Sequence, residues 1–134
     1  SRLPMGMDPD EALAKIRAHL DAQGFQDIEI RQLSGYPAAQ TSVHADLTQA
    51  IISVYNKYTS ELSLQPRIQG SAPFYQFTDR LGLPLVPAGL GFGSGAHGPN
   101  EVFLIEPGPD VPVAGLAEIE KAYVDVIYAL AGEG

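Results

Sequence analysis

Hydrophobic positions along the chain fall into short periodic stretches divided by glycine- and proline-rich turns. Near the N-terminus Leu13, Ile16 and Leu20 recur at helical spacing and predict one buried stripe. Asp8 is placed to cap that helix and Pro9 takes its first position, while Glu11 completes a capping-box pattern and Gly24 supplies the stop. Over 27–33, Ile28 and Ile30 alternate with Asp27, Glu29 and Arg31, the period-two pattern of a strand with one solvated face. With a short strand expected at the terminus, residues 2–34 read as strand, helix, strand.

Residues 34–45 are polar and turn-rich and read as a linker. Beyond it, Leu47, Ala50, Ile51, Val54, Tyr55 and Tyr58 form one broad face of a helix over about 47–58, with Asp46 as its cap. A short strand interrupted at Pro66 is expected over 62–68. Ser71 is placed to cap a third helix that carries Pro73 early, points Phe74, Phe77 and Leu81 inward and ends at Gly82. Two apolar strands are expected over 83–86 and 102–105, the second fully buried. Pro107, Pro109 and Pro112 form a rigid connector. A final helix over 113–131 is expected to turn Leu116, Ile119, Tyr123, Ile127 and Leu130 inward. Helix and strand alternate as in an α/β layer, with no internal repeat.

Composition narrows the function classes. Hydrophobic residues make up 45% of 134, enough for a packed core and too many for a disordered chain. The 8 Lys+Arg against 16 Asp+Glu give a net charge of −8, which argues against nucleic-acid backbones and anionic membranes as partners. Cysteine is absent, so any metal must be held by histidine and carboxylates. Neither a membrane-spanning apolar run nor a signal peptide is visible in the sequence, and a soluble, cytoplasmic protein is expected. Ser1 and the early first helix read as the start of a fragment, or else as the result of Met removal.

Five of the fourteen glycines sit in 88–101. Residues 93–98 fit G-x-G-x-x-G, but Pro99 and an apolar strand follow where a dinucleotide site needs a helix N-terminus, and the loop holds no lysine. The other reading is that the glycines turn the backbone sharply and present His97 as a metal ligand or general base; a plain surface histidine stays open beside it. His19 and His44 read as solvated. No H-E-x-x-H helix and no G-x-S-x-G elbow is present.

Gly95-Ala96-His97-Gly98-Pro99-Asn100-Glu101, followed by an apolar strand and an amphipathic helix, resembles the C-terminal signature of the dinuclear-zinc exopeptidases (metallopeptidase family M-twenty), which include aminoacylases, carnosinases and desuccinylases. Upstream, Arg67-Ile68-Gln69-Gly70-Ser71-Ala72-Pro73 is similar to the Arg-x-Gly-Gly-Ser-x-Pro stretch of the carnosinase-like branch, with Gln69 where its first glycine stands. The segment from Arg2 through Asp8-Pro9 to Ile28-Glu29-Ile30 is similar to the end of that family's ferredoxin-like lid.

The resemblance implies an α/β fold. Residues 1–40 would close the lid, or dimerisation, domain, and 41–134 would be the C-terminal part of the catalytic α/β domain. It implies zinc, two ions per full active site, with His97 as one ligand. Two such ions, about 3.5–4 Å apart, activate a water and polarise an amide carbonyl, and a carboxylate shuttles the proton to the leaving amine. Arg67 would hold the substrate carboxylate through its guanidinium fork, or else pair with a protein acid. Gly70 and Ser71 would add a backbone N–H and a hydroxyl, although Ser71 suits a plain helix cap equally. Gly93 and Gly95 line the pocket or only permit the turn, and Asn100 and Glu101 fix the loop.

The remaining ligands, the bridging Asp, the general-base Glu and the lid histidine have no counterpart in this chain. The fragment alone is therefore expected to be inactive and not to retain zinc. The parent would cleave dipeptides or N-acyl amino acids and pair through the lid strand as a homodimer. The alternative is a non-catalytic binding or structural module that keeps the fold.

Overall fold

A computed structural model describes residues 3–59, 61–68, 70–109, 111 and 113–132. The chain divides into two units, Ser1–Gln40 with Arg67–Leu85, and Thr41–Pro66 with Val86–Gly134.

The first unit is built around helix α1, Pro9–Ala22. Asp8 caps it as expected: one carboxylate oxygen accepts the N–H groups of Asp10 and Glu11 at 2.8 and 3.0 Å. The Glu11 carboxylate pairs with Lys15, one turn on, at 2.7 Å. Gly24 follows the helix at φ +86°, the left-handed conformation that stops it. The stripe is shallower than the spacing predicts, with Leu13 and Leu20 half-buried and Ile16 exposed.

Residues 27–33 form no strand, and neither do 3–4; Arg2 lies outside the described residues. A strand exists only against a ladder partner, and the first unit contains no ladder among the described residues. Instead the Arg17 guanidinium folds this segment back. It donates to the carbonyls of Phe25, at 2.8 Å, and Ile28, and it pairs with Asp21 at 2.7 Å. Leu33 is left 87% exposed.

The third predicted helix shrinks to a π-helical turn, Gln76–Arg80, which Ser71 does not cap. Gly82, at φ +65°, still ends it, and the Leu83 N–H donates to the Phe77 carbonyl at 2.9 Å. Phe77 and Leu81 are exposed, and 61–68 and 83–86 form no strand.

The second unit rests on two packed helices, α2 (Asp46–Tyr55) and α3 (Leu116–Ala131). Asp46 is the first residue of α2 rather than its cap. The entry turn is tied by Ser42, whose carbonyl accepts the Thr48 hydroxyl at 2.9 Å. Val54 and Tyr55 of α2 and Ala122 of α3 are buried, with Ile51, Tyr58, Val126 and Ala129 packed around them. The face predicted for α2 is thus the face that packs. In α3 the face differs: of the residues expected inward Ile119 is half-buried, whereas Leu116, Tyr123, Ile127 and Leu130 are exposed. Large side chains on both helices would hold their axes apart, and Ala122 and Ala129 let α2 come close.

α3 begins at Leu116, three residues later than expected. The Glu118 carboxylate accepts the Gly115 N–H at 3.1 Å, and the Leu116 N–H donates to the Ile105 carbonyl at 2.8 Å. A β-carbon on Gly115 would lie 2.7 Å from the Pro107 ring and 2.8 Å from the Ile105 oxygen, so only glycine fits there. A two-stranded antiparallel ladder, β1 (Gly93–Ser94) and β2 (Val102–Phe103), completes the unit. β2 is shorter than the 102–105 run predicts, and Val102, Phe103 and Ile105 are exposed.

At the α2–α3 seam the Tyr58 hydroxyl donates to Asp125 at 3.0 Å, and Lys57 reaches the same carboxylate at 3.9 Å. Desolvation first, then the bond to Asp125 and the charges of Asp125 and Glu118, raise the Tyr58 pKa above the usual 10; desolvation and Tyr123 raise that of Tyr55. A folded pKa above the unfolded one contributes stability below the unfolded value, and that stability is lost as pH rises through the folded value. The chain therefore loses stability above about pH 10, and Tyr58→Phe flattens the loss; urea midpoints at pH 8 and in the alkaline limb measure both. Ala122→Leu overpacks the seam and lowers stability by about 1–3 kcal/mol, read from the same urea curves at pH 7.

Candidate functional site

The glycine-rich stretch folds as the β1–β2 hairpin, with Gly93 opposite Phe103 and Ser94 opposite Val102. A tight turn closes it: the Gly98 N–H donates to the Gly95 carbonyl at 2.8 Å. Within Gly95-Ala96-His97-Gly98 the third residue, His97, has φ +65°, the third-position geometry of a type II turn. Glycine or asparagine usually takes that position, because a β-carbon there crowds the carbonyl that follows. His97 is the one described residue other than glycine with positive φ.

Glu101 holds this conformation from the far side of the turn. Its carboxylate accepts the His97 N–H at 3.2 Å, while its own N–H donates to the Gly98 carbonyl at 3.3 Å. The imidazole itself is exposed. Two glycines are required by close approach: a β-carbon on Gly93 would meet the Val102 oxygen at 2.9 Å, and one on Gly98 the Gly95 oxygen at 2.9 Å. Gly95 is left-handed at φ +74°. Strand β2, not a helix, follows the turn, so the G-x-G-x-x-G spacing has no helix N-terminus to aim at a phosphate.

Arg67, Gly70 and Ser71 belong to the first unit, whereas Gly93, Gly95 and His97 belong to the second. Arg67 is exposed and forms no ion pair among the described residues. Gln69 lies outside the described residues. The Ser71 hydroxyl is 2.6 Å from the Tyr36 hydroxyl. Tyr36 stacks on Tyr75, with ring centroids 6.0 Å apart, and the Arg80 guanidinium sits 5.5 Å from the Tyr75 centroid. Sequence reasoning missed this group, because 35 residues separate Tyr36 from Ser71 and no local spacing marks the pairing.

Among the described residues no group of three or more His, Cys, Asp or Glu side chains could hold a metal ion. His19 and His44 are exposed. A zinc site takes three or four ligands, so the donors described here do not make one by themselves. No helix among the described residues is long and apolar enough to cross a membrane. Comparison of the chain with protein-family profiles, with curated proteins and with solved structures finds no match.

The turn geometry fixes the direction of one substitution. His97→Gly relaxes the left-handed position and raises stability by about 1 kcal/mol, seen as a higher urea midpoint than that of the parent chain.

Proposed function

We propose that this chain is the C-terminal part of a zinc-dependent peptidase or amidohydrolase of α/β fold. Residues 1–40 would end its lid and 41–134 its catalytic domain, and it would act in the cytoplasm on dipeptides or N-acyl amino acids. The observation that carries this reading is the turn at His97. The hairpin holds an exposed imidazole in a backbone conformation that glycine would adopt at lower cost, and backbone strain kept at one residue is a mark of functional positions.

On this reading His97 offers one nitrogen to zinc as neutral imidazole, and Glu101 keeps the turn from relaxing. Arg67, exposed and unpaired among the described residues, offers a planar fork to a substrate carboxylate. Gly70 and Ser71 stand beside it in sequence, and Gly93 and Gly95 shape the hairpin that carries His97. One histidine does not bind zinc on its own, so the other ligands and the general base come from polypeptide outside these 134 residues. When bound, the metal would supply Lewis-acid activation of water. A second reading is a non-catalytic binding or structural module that keeps the fold.

The test separates the two. The hydrolase reading expects coding sequence upstream of Ser1 with a His-x-Asp and a Glu-Glu pair. It expects the longer protein to hydrolyse N-acyl amino acids or dipeptides, and His97→Ala to lower kcat by about four orders of magnitude or more, in the range found when one essential catalytic group is removed. The isolated chain should bind zinc no tighter than micromolar. An upstream sequence lacking those pairs, or full activity in His97→Ala, leaves the non-catalytic module.

A further inference from the structure

The Tyr36 and Ser71 hydroxyls meet at 2.6 Å, across 35 residues of sequence and within the first unit. Of the two, the phenol is the more acidic and therefore the better donor, while the serine oxygen brings two acceptor lone pairs. Tyr36 thus gives its proton to the Ser71 oxygen. A hydroxyl carries one proton, and this bond does not use that of Ser71. Ser71 caps no helix, and its hydroxyl has no second partner among the described residues. The residue is exposed, so its proton is open to an acceptor from outside the chain. The Tyr36 ring is held in place. It is half-buried and stacks on Tyr75, the two planes inclined by 15°. Tyr75 is held in turn: its hydroxyl accepts the Gln76 side-chain N–H at 2.8 Å, and the Arg80 guanidinium lies 5.5 Å from its ring centroid. A donor on a supported ring, bonded to an exposed hydroxyl, is the arrangement that orients a binding group.

We propose that Tyr36 is a positioning residue for the substrate carboxylate, acting through Ser71. This inference rests on the hydrolase reading, in which the Ser71 hydroxyl joins Arg67 in holding that group. Tyr36 donates to the Ser71 oxygen, and Ser71 donates to the carboxylate. Each link polarises the next, so the Ser71 proton is a stronger donor than that of a lone hydroxyl. The order of the chain also selects the ligand. An ionised carboxylate only accepts hydrogen bonds, and it gains most from a hydroxyl whose proton is free. A bond to that charge is roughly twice as strong as one to a neutral carboxamide oxygen. Tyr36→Phe keeps the ring and its stack on Tyr75 but lets the Ser71 hydroxyl turn. Binding of a free carboxylate then weakens, while the amide bond under attack reacts as before.

The longer protein is assayed with an N-acyl amino acid and with its carboxamide, which lacks the free carboxylate. Tyr36→Phe is expected to raise KM for the acid about three- to tenfold, the range of one lost hydrogen bond, with kcat unchanged. Such a split marks an interaction made equally in the ground and transition states. KM for the carboxamide, or its inhibition constant if it is not turned over, should not move. Ser71→Ala should raise KM for the acid at least as much, and adding Tyr36→Phe to it should do nothing more, because the two hydroxyls act in series. If Tyr36→Phe fails to fold, Tyr75→Leu decides in its place. That variant leaves the hydroxyl and removes the ring it rests on, and the same rise for the acid alone is expected. An unchanged KM for the acid, equal rises for acid and carboxamide, or additive effects in the double variant would overturn the proposal. The hydroxyl pair would then be a plain tie between 34–40 and 67–85. Wild-type protein that hydrolyses neither compound removes the hydrolase reading itself, and this inference with it.

Discussion

The approach of α2 to α3 over Ala122 is the contact on which the second unit depends. Ala122 is 1% exposed and Val54, across the seam, is also 1% exposed. Two backbones come this near only where a small side chain stands between them. That approach brings Tyr58 within reach of Asp125 and turns the remaining arc of α3 outward. Close approach recurs at the hairpin: a β-carbon on Gly91 would lie 2.7 Å from both Ile119 of α3 and Phe103 of β2. α3 is therefore positioned from two sides, by an alanine against α2 and by a glycine beside the ladder.

Local signals are the most legible part of this sequence. Asp8, Pro9 and Gly24 bound α1 within a residue or two, because capping is chemistry between near neighbours. The packed face of α2 was legible because one side of it is clearly more apolar. α3 is harder to read because apolar residues take most of its circumference: periodicity selects the bulkiest stripe, whereas packing selects the smaller Ala122 and Ala129. The segment 27–33 misled for a different reason. Alternation states which way side chains point if a strand forms, but not whether a partner exists. Here Arg17 supplies the partner, from a helix position that no strand pattern reveals.

The candidate loop was legible as a turn and as the place where His97 is presented. Glycines at 93, 95 and 98 announce positive φ or close backbone approach, and the hairpin uses them in those ways. Sequence could not reveal that His97 itself would take a left-handed conformation, nor that Glu101 would hold its amide, since both depend on how the turn closes. The Tyr36–Ser71–Tyr75 group lay further out of reach, being assembled across the intervening residues of the other unit.

That interleaving has a consequence for synthesis. The first unit takes residues from both sides of 41–66, and the second from both sides of 67–85. A ribosome releases α1 early, yet the Tyr36 hydroxyl waits for Ser71 and its ring waits for Tyr75. Neither unit can finish until the chain has emerged beyond residue 85. A cut in the polar stretch near residue 40 would not isolate a folded half: it would leave 67–85, which belong to the first unit, on the other piece.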